Sequence, residues 1–189
     1  MRAFDTLNAA ILRCHRCRLC ETRQHALCGE GNRQARLMLV AQAPGEKEDR
    51  EGRMFIGPSG RMLDELLEGA GIDRGTLYMT NLVKCMLPKY RKPKADEITA
   101  CAPFLERETV LVDPAVIAPL GHYAVVHVFK HYGLSLPPAS ELFGRSFSAG
   151  GRTIFPLQHP ASALYNPGFK EVLARNYRRL GMILAELPL

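Results

Sequence analysis

The sequence predicts an α/β fold with three layers, in which helices cover both faces of a central, mostly parallel sheet of four strands. Three compact apolar runs, at residues 35–42, 76–83 and 115–121, are typical of buried strands. Stretches with apolar residues at helical spacing alternate with them, and this alternation indicates a parallel sheet. The 189 residues suffice for one core, and no repeat or linker divides them. We therefore predict a single domain over residues 1–189.

The N-terminal part of the chain supplies the first strand and two helices. Residues 5–13 predict a short helix with Asp5 as its N-cap. The run "ARLMLVAQ" at 35–42 predicts a strand, which ends at the Pro-Gly break of "APGE". The stretch "PSGRMLDELLEGAGI" has the spacing of a helix, with Gly71 as its stop.

The remainder alternates in the same way. A helix is predicted at 96–111 between the second and third strands, and another in "HYAVVHVFKHYG". The stretch "RSFSAGGRTIFPLQHP" predicts a hairpin that turns at a Gly-Gly pair, and the last helix covers 169–187. In parallel sheets the functional loops follow the carboxyl ends of the strands. The stretches "AQAPGE", "TNLVKC" and "LQHPASAL" all fall there.

The net charge and the lengths of the apolar runs indicate which kinds of partner to expect. The formal net charge is +6, which favours nucleic acid and other polyanions. No apolar run reaches the roughly 18 to 20 residues of a membrane span, and the N-terminus lacks the pattern of a secretory signal. We expect a monomeric, cytoplasmic protein that does not bind membranes.

Six cysteines are the strongest sign of a metal site. In a reducing compartment, clustered cysteines hold metal more often than they form disulfides. The run "CHRCRLC" does not continue as a bacterial ferredoxin motif would, and the chain has only one region of C-x2-C spacing, where a zinc ribbon needs two. Thiolates suit Zn²⁺ and iron–sulfur clusters alike, so their chemistry leaves both open.

Several motifs together resemble one enzyme family. "CHRC", then "GEGNRQARLMLVAQAPGEKEDREGRMFIGPSGRMLDELL", "TNLVKC" and "QHPASAL" follow one another as in the iron–sulfur (family 4) uracil-DNA glycosylases. The resemblance implies the uracil-DNA glycosylase fold and a [4Fe-4S] cluster with a structural role. The cluster ligands that it implies are Cys14, Cys17, Cys85 and Cys101. Cys20 and Cys28 are then bystanders.

The resemblance also implies an activity. It indicates a monofunctional DNA glycosylase, a hydrolase that cuts the N-glycosidic bond of uracil in DNA to initiate base excision repair, with other deaminated bases as further substrates. By position in the motifs, Phe55 is expected to stack on the extruded base. Asn81 is expected to pair with uracil O4 and N3–H, and His159 to donate to uracil O2 and stabilise the leaving anion.

The first motif departs from the family pattern. Gln42 stands where the family commonly has glutamate, and it is expected to hydrogen-bond uracil or a water, because an amide cannot ionise. Ala43 and Pro44 are expected to shape the pocket floor and Gly45 to allow close approach of the DNA. A neighbouring acid in "GEKED" could replace the missing carboxylate, although we expect Glu48 to be solvated at a helix start.

DNA contact is expected from two further segments. "KCMLPKYRKPK" contains Lys84 and Arg91 among five cations and is a candidate phosphate-binding loop. Leu164 is the candidate wedge, and Tyr165 follows it where the family commonly has a basic residue. Two alternatives stay open: a non-catalytic or weakly catalytic member that binds damaged or abasic DNA, and a zinc-binding module without a base pocket.

Overall fold

A computed structural model describes residues 2–187 and shows a six-stranded sheet between two layers of helices. The strands are β1 (Glu30–Gly31), β2 (Leu37–Ala41), β3 (Tyr78–Asn81), β4 (Val116–Pro119), β5 (Phe147–Ala149) and β6 (Arg152–Ile154). The helices are α1 (Arg2–Leu12), α2 (Glu46–Glu51), α3 (Pro58–Glu68), α4 (Ala95–Val112), α5 (His122–His131), α6 (Ala161–Tyr165) and α7 (Lys170–Glu186). The predicted single domain includes residues 1, 188 and 189, which lie outside the described part, and it stays a prediction.

The sheet has the order β1-β3-β2-β4-β6-β5. Its four inner strands, β3, β2, β4 and β6, are mutually parallel, while β1 and β5 pair antiparallel at the two edges. The α/β class and the mostly parallel sheet are confirmed, but the predicted number of four strands is wrong. The edge strand β1 has only two residues, too few for an alternation of apolar and polar side chains to be visible in the sequence.

Alternate side chains of each inner strand enter two separate cores. In β2, Met38 and Val40 pack with α1, α4 and α5, whereas Leu37 and Leu39 pack with α3 and α7. Every residue of β2, β3 and β4 is buried, as expected for parallel strands covered on both faces. This burial explains why these three strands appear in the sequence as unbroken apolar runs.

Two predicted helix boundaries shift in the structure. α1 begins at Arg2, so Asp5 lies in its first turn and the N-cap prediction is wrong. α3 ends at Glu68, and Gly71 adopts left-handed backbone (φ +68°) in the turn that follows. Within residues 2–187, no helix combines the length and the apolarity needed to cross a lipid bilayer.

A buried ion pair joins α4 to the sheet. Lys84 Nζ lies 2.5 Å from Glu108 Oε2, and both side chains are almost fully buried. The Thr80 hydroxyl donates to the same carboxylate (2.6 Å), as do the Tyr78 hydroxyl (3.3 Å) and the Gly29 amide (3.0 Å). The prediction that Lys84 contacts DNA is therefore wrong, because its ammonium group points into the core and is occupied by Glu108.

Removing the charge of Lys84 should destabilise the fold. Lys84→Met leaves the Glu108 carboxylate buried without its partner, and we expect the free energy of unfolding to fall by about 3 to 5 kcal/mol. Urea denaturation measures this change. The exposed residue Lys92 provides the control, since Lys92→Ala should change stability by less than about 0.5 kcal/mol. Equal stability of the two variants would contradict a structural role for the ion pair.

Candidate functional site

A cavity of about 420 Å³ opens at the carboxyl ends of the parallel strands. Its size is in the usual range for small-molecule sites. All seven residues that the resemblance placed around the base line this cavity: Gln42, Ala43, Pro44, Gly45, Phe55, Asn81 and His159. The structure thus brings together residues from four segments of the chain, at positions 42–45, 55, 81 and 159.

Backbone hydrogen bonds continue the sheet into these loops. Val83 N–H donates to Gln42 C=O (2.9 Å), which joins the loop after β2 to the loop after β3. Gly121 N–H donates to Leu157 C=O (2.8 Å), which holds the segment leading to His159 against the end of β4. Gly121 itself has φ +80°, a conformation that disfavours any residue with a side chain. The cavity wall is therefore an extension of the sheet.

His159 is held as a neutral imidazole of defined tautomer. Burial lowers its pKa to about 4. The Ala161 backbone N–H donates to His159 Nδ1 at 3.2 Å, so Nδ1 is the acceptor of the ring. A neutral imidazole has one N–H, which must then be at Nε2. His159 therefore offers an uncharged donor.

Phe55 occupies a strained backbone conformation beside His159. Its φ is +51°, in a region that non-glycine residues rarely adopt, and its ring stacks on the imidazole with centroids 6.2 Å apart. The Arg74 guanidinium donates to the carbonyls of Met54 (3.1 Å) and Phe55 (3.3 Å). A Cβ at Gly60 would lie 1.8 Å from the Phe55 oxygen, so only glycine allows this approach. The surrounding structure thus fixes the Phe55 ring at the cavity wall.

The Asn81 side chain is buried at the end of β3. Its amide nitrogen contacts Met54 Sδ at 3.2 Å, a weak hydrogen bond that orients the group. The amide keeps a second N–H and its carbonyl oxygen for other partners. Asn81 can consequently donate and accept at once.

The three acids of the first motif have different surroundings. Glu48 is buried, lines the cavity and accepts the Gly57 backbone N–H at 2.9 Å, so the expectation that it is solvated is wrong. Asp49 accepts backbone amides of the loop before β1, and Glu46 accepts the Tyr90 hydroxyl (2.8 Å) at the exposed rim. Among the described residues that line the cavity, Glu48 is the one carboxylate.

The sequence contains an indication that Glu48 is buried. It is the third residue of α2, after the N-cap Gly45, and a glutamate at this position commonly turns back toward the N-cap. Sequence reasoning also missed Met54 and Ser59, which line the same cavity. The sequence does not indicate that these two residues line the cavity, because their positions depend on how the loop after α2 folds.

The candidate DNA-contacting residues lie at or near the rim. Arg91 lines the cavity and makes two hydrogen bonds to the buried Glu97 carboxylate (2.8 and 2.5 Å). This pairing lowers the pKa of Glu97. Leu164 is half-exposed on α6 and does not line the cavity, whereas its neighbour Tyr165 does.

A second cavity is lined by four of the six cysteines. They are Cys14, Cys17, Cys85 and Cys101, whereas Cys20 and Cys28 lie outside it. Arg23 donates to Cys85 Sγ (3.2 Å), and the Lys84 backbone N–H approaches Cys101 Sγ at 3.2 Å. Burial raises the pKa of Cys101 to about 11, so a bound cation would have to displace its proton.

The four cysteines that line this second cavity are a candidate metal centre. Within the described part of the chain, no group of three or more His, Cys, Asp or Glu side chains has the arrangement for a single metal ion. Thiolates suit Zn²⁺ and iron–sulfur clusters alike. The four thiols of this cavity are chemically compatible with either kind of centre.

Comparison with known proteins decides the family. The model of the uracil DNA glycosylase superfamily matches residues 28–180. A type-4 uracil-DNA glycosylase of Saccharolobus solfataricus is 36% identical, over 100% of this chain and 90% of its own length. The chain belongs to the type-4 uracil-DNA glycosylases. The family that the motifs predicted is thereby confirmed.

Two other type-4 relatives are similar over nearly their whole length. The uracil-DNA glycosylase of Sulfurisphaera tokodaii is 35% identical, covering 95% of this chain and 84% of its own. That of Archaeoglobus fulgidus is 31% identical, covering 96% and 93%. These type-4 matches extend over the loops that form the cavity and over the cysteines.

The state of His159 can be tested by nuclear magnetic resonance. Because burial disfavours the imidazolium, we expect the ring to stay neutral, with its proton on Nε2, as the pH is lowered from about 7.5 to about 5. Nitrogen chemical shifts of the ring report both the charge and the tautomer, and His159→Gln assigns the signal. Protonation within this interval, or a proton on Nδ1, would refute the geometry described above.

Proposed function

We propose that this chain is a monofunctional DNA glycosylase that hydrolyses the N-glycosidic bond of uracil in DNA and so initiates base excision repair. One observation carries the proposal: Phe55, Asn81 and His159 line a single cavity at the strand ends of a type-4 family member. The named relatives are uracil-DNA glycosylases, which agrees with this activity. Uracil-containing DNA is then the partner, and other deaminated bases are further candidates.

Recognition of the base is assigned to Phe55 and Asn81. A base must leave the helical stack before an enzyme can reach its glycosidic bond, at a cost of a few kcal/mol. The Phe55 ring replaces part of the lost stacking. The Asn81 amide donates to uracil O4 and accepts from N3–H, whereas cytosine has the reverse pattern at these two atoms. The contact with Met54 holds the amide ready for this pairing.

His159 is assigned to the leaving group. When the bond between C1′ and N1 breaks, the electron pair departs with uracil and negative charge develops on O2. The Nε2–H of neutral His159 donates to that oxygen. A donor fixed in a buried site stabilises developing charge more than water does, because it needs no reorganisation.

Glu48 and Gln42 are assigned to the sugar and the incoming water. The sugar becomes cationic as uracil leaves, and the carboxylate of Glu48 favours that positive charge. Gln42 contributes a neutral amide that can orient the water whose oxygen bonds to C1′. Ala43, Pro44 and Gly45 line the same cavity as these two side chains.

We also propose that Cys14, Cys17, Cys85 and Cys101 hold a [4Fe-4S] cluster. The cluster would supply four strong bonds between segments of the chain and takes no part in hydrolysis. Two ligands lie after α1, one after β3 and one on α4, so it would tie the N-terminus to the edge of the active-site loops. A monomeric state and a cytoplasmic location stay predictions.

The enzymatic proposal is tested with a uracil-containing oligonucleotide under single-turnover conditions. Wild-type protein should release free uracil, and His159→Ala should slow release by about 100- to 1000-fold, as expected for loss of one donor to a developing anion. The exposed residue His122 gives the matched control, and His122→Ala should retain the wild-type rate. Intact substrate with wild-type protein would overturn the proposal.

The cluster proposal is tested by comparing two cysteine substitutions. Cys85→Ala removes a cavity-lining thiol, so the purified protein should lose most of its iron and its visible absorbance. Cys20→Ala changes a cysteine of the same N-terminal run that lies outside the cavity and should keep both. Iron analysis and absorption spectra measure the difference. Stoichiometric zinc in the wild-type protein, prepared without exposure to oxygen, would contradict the cluster.

A further inference from the structure

Two tyrosines at the mouth of the active-site cavity are unusually exposed. In the described part of the chain, Tyr165 (89% exposed) and Tyr90 (76%) are the most exposed of the large hydrophobic side chains. The other four tyrosines are buried or half-buried. Both exposed rings line the same cavity, although 75 positions separate them in the sequence. Exposed aromatic surface beside a binding cavity indicates a partner with an apolar, planar face.

Tyr90 is held in place by its backbone and by a hydrogen bond. Lys89 and Tyr90 both have left-handed backbone, with φ +54° and +53°. Such conformations cost about 1 to 3 kcal/mol each and concentrate at functional sites. The Tyr90 hydroxyl donates to Glu46 Oε2 at 2.8 Å, which ties the ring to the start of α2. The loop thus presents the ring in a defined position.

The surroundings of Tyr90 favour a polyanionic partner. Lys89, Lys92 and Lys94 are exposed, and none of them forms an ion pair with another residue of the described chain. Arg91 is already paired with Glu97. Aromatic rings interleaved with unpaired cations are typical of surfaces that bind single-stranded nucleic acid, where the cations follow the backbone and the rings stack on bases.

We propose that Tyr90 and Tyr165 are stacking platforms for the nucleobases that flank the extruded uracil. The inference rests on the proposed function, because it places the extruded base in the cavity between the two rings. Once uracil has left the stack, each neighbouring base has lost one stacking partner. A ring at the cavity mouth replaces that partner. The replacement matters most for single-stranded DNA, in which no complementary strand restrains the flanking bases.

The experiment compares alanine substitutions on two single-stranded substrates. In the first, normal nucleotides flank the uracil, and in the second, both neighbours are abasic analogues. On the normal substrate, Tyr90→Ala and Tyr165→Ala should each lower kcat/KM by about 5- to 150-fold, the effect of losing one base–aromatic stack. On the abasic-flanked substrate the wild-type protein should already lack the contribution of stacking to kcat/KM. The substitutions should then lower kcat/KM little further.

Conservative and distant variants complete the test. Tyr90→Phe and Tyr165→Phe keep the rings and should stay within about 3-fold of wild type, and Met182→Ala, an exposed apolar residue outside the cavity, should be unaffected. If the tyrosines act by stacking, the slope of log kcat/KM against log salt concentration should be the same in the alanine variants as in the wild type. Lys92→Ala removes a cation and should make that slope smaller. Thermal melting of each variant verifies folding.

Three outcomes would overturn the stacking proposal. These are alanine variants as active as Met182→Ala, equal losses on both substrates, or phenylalanine variants as impaired as the alanine ones. The proposed function would still stand in each case, since the wild-type protein would release uracil. A wild-type protein that releases no uracil from either substrate would instead reject the proposed function, and the stacking proposal with it.

Discussion

The buried ion pair of Lys84 and Glu108 constrains both sites of the molecule. The backbone of Lys84 accepts the Leu27 N–H (2.7 Å) through its carbonyl, while its own N–H approaches Cys101 Sγ. Three positions before it lies Asn81 in the active-site cavity, and Cys85 follows it directly in the cysteine cavity. A shift of this segment would separate two buried charges, at a cost of several kcal/mol. One electrostatic contact therefore helps to hold in place the segment that joins Asn81 to Cys85.

The residues proposed to contact the base are neutral, whereas the exposed lysines of residues 84–94 lie outside the cavity lining. The buried Asn81 and the half-buried His159 are uncharged at neutral pH, and hydrogen bonds gain strength in surroundings of low polarity. In the described part of the chain, Lys89, Lys92 and Lys94 are exposed and form no ion pair, so they are available to a polyanion without a desolvation cost. The net charge of +6 therefore favours association with polyanions such as DNA, whereas the groups proposed to recognise the base are neutral.

The sequence predicts well those features that depend on local pattern and on motif order. Three of the four parallel strands and the residues around the cavity belong to this group, because unbroken apolar runs mark β2, β3 and β4 and the motifs follow the strand ends. Lys84 and Glu48 do not belong to it. Each has the appearance of a solvated charge in the sequence, and each is buried because of a partner that only the fold supplies: Glu108, 24 positions further on, and the backbone of Gly57.

The position of Glu48 bears on how the first motif can differ from the family pattern. The cavity already contains the carboxylate of Glu48, which is close enough to Gly45 that a Cβ there would lie 2.5 Å from its Oε2. A glutamate at position 42 would add a second carboxylate to the cavity lining, whereas Gln42 adds none. With Glu48 proposed to favour the cationic sugar and His159 proposed to stabilise the leaving anion, a neutral amide at position 42 is compatible with hydrolysis.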